Sequence, residues 1–211
     1  MDNMKTQLDA DIQALTADYV EYQKQQYERT QQQGASLLTK YAKDGEWEKF
    51  ISYALLHWEV LPIAFSFYDD IPDDMKYEFC TGAYTHHGDS VPGVRKAVRN
   101  ALKYGRPKLP EDIVSADEVV VFRAGEEPIE KAKYRISWTT DINVALFFLN
   151  RGRLIGRHAS HLYTGKIKPE KIIAYTDDRK EREIMQYRNV YAIQEITGQH
   201  MESLAERKVK Q

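Results

Sequence analysis

Hydrophobic positions recur every three or four residues through the first hundred residues, the spacing of helices with one buried face. Leu8, Ile12, Leu15, Tyr19 and Tyr22 share such a face, and the pattern runs through Gln23 to Gln33 until Gly34, a plausible stop. Either this helix packs on its own domain or its stripe takes a partner helix; two heptads are too few for a coiled coil. Ser36 to Lys43 predicts a second helix. Trp47 to Trp58 predicts a third, with Trp47, Phe50, Ile51, Ala54, Leu55 and Trp58 as its apolar stripe. Leu61 to Tyr68 is apolar, broken by Pro62 and closed by Asp69-Asp70-Ile71-Pro72. A further helix starts near Pro72, with Asp73 and Asp74 suited to its first turn. Thr85 to Asp89 reads as a loop, and Pro92 opens a helix that runs to Tyr104 and is ended by Gly105 and Pro107.

Past the linker Arg106-Pro107-Lys108-Leu109-Pro110 the periodicity turns towards strands. Val119 to Phe122, Tyr134 to Trp138, Ser160 to Ile167, Lys171 to Tyr175 and Ile184 to Ile193 read as strands. Asp141 to Asn150 reads as a helix with Ile142, Ala145, Leu146 and Leu149 inward. Many short strands around one helix predict an α+β fold. A helical accessory or targeting domain over 1–110 precedes a compact module over 111–211.

Composition narrows this little. The 211 residues are 42% hydrophobic and 29% charged, ordinary for a folded chain, and the formal charge of −2 leaves no global footprint for nucleic acid. No apolar run approaches a membrane span, and the acidic, Gln-rich N-terminus is unlike a secretory leader. One cysteine, Cys80, forms no internal disulfide, which points to a reducing, cytoplasmic compartment.

Three polar signatures follow in order. Arg123-Ala124-Gly125 ends an apolar run, so a guanidinium surfaces where a buried strand emerges. Arg123 suits a phosphate or a structural ion pair, and the small residues after it admit close backbone approach. Ser137-Trp138-Thr139-Thr140-Asp141 joins a strand to a helix. Ser137 and Thr139 share one strand face, while Thr140 or Asp141 caps the helix. Glu181-Arg182-Glu183 opens an apolar strand, and period two places both carboxylates together. Otherwise they are a solvated strand end paired with Arg179 or Lys180.

In this order the signatures resemble the mono-ADP-ribosyltransferase superfamily of the arginine–serine–glutamate type, over about residues 118–195. Its Arg matches Arg123, its Ser-x-Ser/Thr motif matches Ser137 and Thr139, and its Glu/Gln-x-Glu motif matches Glu181 and Glu183. The Ser-Trp-Thr-Thr-Asp form, with Ala145-Leu146-Phe147-Phe148, looks like a bacterial and phage branch. Trp138 within the hydroxyl motif, and Thr139 for the commoner serine, depart from the usual pattern.

The resemblance implies a split β-sheet module that breaks the nicotinamide–ribose bond of NAD and transfers ADP-ribose to a protein arginine or a nucleic acid. NAD is then a co-substrate, and no metal or resident cofactor is implied. Glu183 would stabilise the oxocarbenium-like centre, and Glu181 would orient or deprotonate the acceptor. Arg123 would hold the phosphates, and the backbone near Gly125 would meet the nicotinamide amide. Ser137 would position Glu183 or the ribose, Thr139 would wall the pocket, and Trp138 or Phe148 would shield the nicotinamide. A toxin or phage–host conflict role suits the branch, with an inhibitor or antitoxin partner on the N-terminal helices and no membrane. The rivals are an NAD glycohydrolase, whose acceptor is water, and a non-catalytic binding module.

Other signals have duller readings. His158 and His161 have a ligand-like spacing, but nothing nearby completes a metal shell. Arg151, Arg153, Arg157 and His158 follow the central helix, where the family borders the NAD phosphates. Arg95, Arg99 and Lys103 step by four along one helix face, opposite Val94, Val98, Ala101 and Leu102. That face is either solvated or meets a polyanion.

Overall fold

The computed structural model describes residues 2–154, 161–177 and 180–196, with side chains over 19–151, 161–177 and 180–196. The chain is α+β, helices first and a six-stranded antiparallel sheet after them. Two units divide between Val94 and Arg95, ahead of the 106–110 segment that composition marks as the linker.

The first unit holds α1 (Asp2–Lys43), α2 (Trp47–Leu56), α3 (Leu61–Ala64) and α4 (Asp73–His87). The two helices expected either side of Gly34 are one. A Cβ at Gly34 would lie 2.3 Å from a Val60 methyl, so this glycine lets the helix approach its neighbour instead of ending it. One turn on, Leu38 is buried, and Gln31 Nε2 donates to the Glu59 carbonyl at 3.0 Å. Earlier in α1, Tyr19 and Tyr22 are exposed; the side chains of Leu8, Ile12 and Leu15 lie outside the described residues.

The chain reverses at Gly45 (φ 71°) into α2, which buries Phe50, Ile51, Ala54 and Leu55. That helix stops at Leu56, so Trp58 leaves the expected stripe and lies half exposed against Tyr27, 5.5 Å between ring centres. Pro62 falls in the first turn of α3 and starts a helix where a break was expected. In α4, the segment expected as a loop continues the helix through His87. There Nε2 lies 2.7 Å from the Leu55 carbonyl, and Gly88 (φ 68°) ends the element. Cys80 is wholly buried on α4, and burial pushes its thiol up.

The second unit starts within α5 (Val94–Asn100), which closes in a 3-10 turn, Ala101–Lys103. Then come α6 (Glu111–Val114), β1 (Val119–Gly125), α7 (Ile129–Ala132), β2 (Ser137–Thr139), α8 (Ile142–Leu154), β3 (His161–Ile167), β4 (Ala174–Thr176), β5 (Glu183–Met185) and β6 (Tyr191–Glu195). The strand order is β4-β5-β2-β1-β3-β6. β1 pairs with β3 from Val119↔Ile167 to Gly125↔His161, and β2 pairs with β5 from Ser137↔Met185 to Thr139↔Glu183.

Alternation along these strands separates two apolar layers. Val119, Val121, Trp138, Tyr163, Ile167 and Ile184 form the main core. Helix α8 covers the other face, where Ala145 and Leu149 pack with Leu162, Phe122 and Ala124. The single strand expected over Ile184 to Ile193 is two strands. Gln186, fully buried, accepts the Asn189 N–H at 2.7 Å and folds the chain into the turn between them.

Candidate active site

The apolar run of β1 sets Val119 and Val121 in the core, leaves Val120 exposed and is followed directly by Arg123. Arg123 donates from Nε to Glu127 Oε1 (2.9 Å) and from Nη1 to the Ser137 carbonyl (2.7 Å). Arg135 Nε reaches the same Glu127 oxygen at 3.2 Å. The Glu127 side chain is 5% exposed, so one buried carboxylate lies between two guanidiniums. Burial pushes its carboxyl up, but the charge and hydrogen bond of Arg123, with Arg135 behind them, outweigh that and hold it below the usual range. Tyr163 fixes the loop by donating its hydroxyl to the Glu127 carbonyl. Its phenol is pushed up to about 12, first by burial and then by Glu195, Glu127 and Glu130. Gly125 makes room for this fold-back: a Cβ there would lie 2.6–2.8 Å from the Glu127 carboxyl atoms.

The opposite wall comes from β2 and β5. Thr139 is paired in register with Phe122 on one side and Glu183 on the other. Its hydroxyl donates to the Glu181 carbonyl (2.6 Å) and accepts the Asp141 N–H (3.0 Å), so Thr139 locks the acidic segment to the start of α8. Asp141 takes the capping role, accepting the Asn143 N–H at 2.9 Å.

Glu181 and Glu183 do not share one strand face, as period two would have placed them. Arg182 between them has φ 44° and Lys180 has φ 57°, so the chain turns there and β5 begins only at Glu183. Arg182 N–H donates to Asp177 Oδ1 at 3.0 Å, and its guanidinium donates to the Asp112 carboxylate. Arg179 lies outside the described residues.

Both walls nevertheless border one cleft of about 520 Å³, whose lining includes Arg123, Arg135, Ser137, Phe148, Glu181 and Glu183. Glu183 in this lining is 8% exposed. Gly125 and Arg151 line it too, Arg151 from within α8, which runs past the expected end. The Arg153 side chain, Arg157 and His158 lie outside the described residues. Comparison with protein-family models, curated proteins and solved structures gave no match.

Of the two candidate aromatic shields, Trp138 borders the cleft but is 2% exposed. Its ring belongs to the main core, and Nε1 donates to the Arg135 carbonyl at 3.1 Å. Phe148, 38% exposed on α8, is the ring available to a ligand.

Sequence reasoning missed Glu127 and Arg135. The available signal was an acid just past the Arg-Ala-Gly signature and a base just ahead of the hydroxyl motif. Among the described residues no group of three or more His, Cys, Asp or Glu is placed to hold a metal. None of their helices is long and apolar enough to cross a membrane.

Proposed function

We propose that the second unit is an NAD-dependent mono-ADP-ribosyltransferase, its sheet a split sheet of that superfamily's kind. The observation that carries this reading is the shared cleft, which gathers Arg123, Ser137, Phe148, Glu181 and Glu183 although they lie up to sixty positions apart.

Charge dictates how such a cleft works. Cleaving the nicotinamide–ribose bond builds positive charge on the anomeric carbon, as in glycoside cleavage. Glu183, buried in the cleft lining, stabilises that charge without reorganising, and its loss costs about 10²-fold or more in rate. Two guanidiniums around one carboxylate leave a net positive charge, so Arg123 and Arg135 take the diphosphate. Phe148 keeps water off the nicotinamide face, and the small Gly125 lets the backbone approach its amide. Glu181 takes the proton of the incoming acceptor. Thr139 builds the wall and touches the chemistry only through what it holds. The N-terminal helical unit would serve targeting, regulation or the binding of an inhibitor, and the enzyme would work in the cytoplasm.

Cell lysate incubated with labelled NAD and the protein, then treated with protease or nuclease, tests the reading. Label on macromolecule with wild type and none with Glu183→Gln supports it. Nicotinamide release without transferred label makes the protein an NAD glycohydrolase, and no NAD turnover leaves a binding module.

A further inference from the structure

The segment leading into β2 and the turn leaving β5 are bound into one surface by Gln186. Its side-chain amide donates to the Arg135 carbonyl. Its oxygen accepts the Asn189 and Val190 N–H groups, and its backbone N–H reaches the Ile136 carbonyl at 2.9 Å. On that frame four side chains meet. The Arg188 guanidinium lies 4.8 Å from the Tyr134 ring centre and 5.4 Å from that of Tyr187. Lys133 Nζ lies 5.1 Å from the Tyr134 ring centre. Lys133, Tyr134 and Arg188 are exposed.

Two features mark this surface as built. Arg188 has φ 59°, a left-handed conformation that disfavours any residue with a Cβ. Glycine would occupy it with less strain, yet the position carries a guanidinium within cation–π distance of two rings, and held strain of this kind gathers at functional sites. The segments 131–137 and 184–192 contain four cations (Lys131, Lys133, Arg135, Arg188) and no acidic residue. Arg135 is paired with Glu127 and Glu130 borders Lys131, so Lys133 and Arg188 supply the excess positive charge of this surface.

We infer that this surface binds single-stranded nucleic acid. Phosphates are drawn by the lysine and arginine groups, with release of counterions. Unstacked bases lie on tyrosine rings and guanidinium planes. Arg135 follows Tyr134 directly and lines the cleft, so a bound strand runs to its rim. The role of this strand as ADP-ribose acceptor rests on the transferase reading; its binding does not.

The test is fluorescence anisotropy of the full chain with a labelled single-stranded oligonucleotide, without NAD, from low to physiological salt. Wild type binds, with affinity falling as salt rises. Arg188→Gly, which suits the left-handed backbone, weakens binding about tenfold and lowers the salt slope by about 0.7, one phosphate contact. Tyr134→Leu weakens binding about tenfold with the slope unchanged. Thermal melts confirm that both variants are folded. The inference is overturned if wild type does not bind, if both variants bind like wild type, or if polyglutamate competes as well as the oligonucleotide. It is overturned equally if Arg99→Ala, on the basic face of α5, abolishes binding instead. Binding without any nicotinamide release would leave this surface standing and remove only its acceptor role.

Discussion

Replacing Glu127 by Gln takes one negative charge from between two guanidiniums while keeping the size of the side chain. The carboxylate is 5% exposed and lies 2.9 Å from Arg123 Nε and 3.2 Å from Arg135 Nε. Removing one partner from a buried ion pair costs about 3–5 kcal/mol, because the remaining charge is stranded. The amide oxygen still accepts one hydrogen bond, and Arg135, at 38% exposed, is partly screened by solvent. The expected loss is therefore at or just below the bottom of that range, about 2–3 kcal/mol. Amide exchange in β1 and β3 against urea reads it, since these strands report on the second unit alone. The pH dependence has a fixed sign. The folded carboxyl is held below its ordinary 4.5, so its contribution is complete above that pH and is lost as pH falls through the folded value. The gap between wild type and Glu127→Gln should be full at neutral pH and close only in acid. A gap under about 0.5 kcal/mol, or one that persists unchanged well below the ordinary carboxyl range, would refute the two-guanidinium clamp.

Gly125→Ala should lower kcat/KM for nicotinamide release about tenfold and cost about 1–3 kcal/mol, because the added methyl overlaps the Glu127 carboxyl. Combining it with Glu127→Gln should cost less than the sum, which a double-mutant cycle would read. Trp138→Phe should destabilise by about 1–3 kcal/mol through its lost bond to the Arg135 carbonyl and the void left behind, with KM for NAD nearly unchanged. Phe148→Ala should do the reverse, with a melting point close to wild type and KM for NAD raised about tenfold. Thr139→Val should cost about 1–3 kcal/mol and lower kcat, since its hydroxyl bonds both the Glu181 carbonyl and the Asp141 N–H.

The helical character of the first unit was legible because helical spacing extends over whole faces, as in Phe50, Ile51, Ala54 and Leu55. The continuity of α1 was hidden by Gly34, since a glycine that stops a helix and one that lets a helix approach Val60 look alike in sequence. Helices α6 and α7 are one turn each, too short to carry a period. The split of Ile184 to Ile193 was masked because Gln186, a polar residue wholly buried, does the work of a turn glycine through side-chain hydrogen bonds.

At the candidate site, alternation correctly paired Ser137 with Thr139, and by the same logic it puts Trp138 on the core face. It failed at Glu181, where a left-handed Arg182 broke the strand. Glu127 lay in a predicted loop and Arg135 in the strand expected over Tyr134 to Trp138, and neither charge gives a signal until folding places Glu127 between Arg123 and Arg135.

The most direct measurement is nicotinamide release from NAD by purified wild type and Glu183→Gln, with NAD affinity determined for both by calorimetry. The account predicts NAD binding by both within about threefold, and turnover by Glu183→Gln lower by about 10²-fold or more. Equal turnover by the two proteins, or wild type that neither binds nor cleaves NAD, would contradict it.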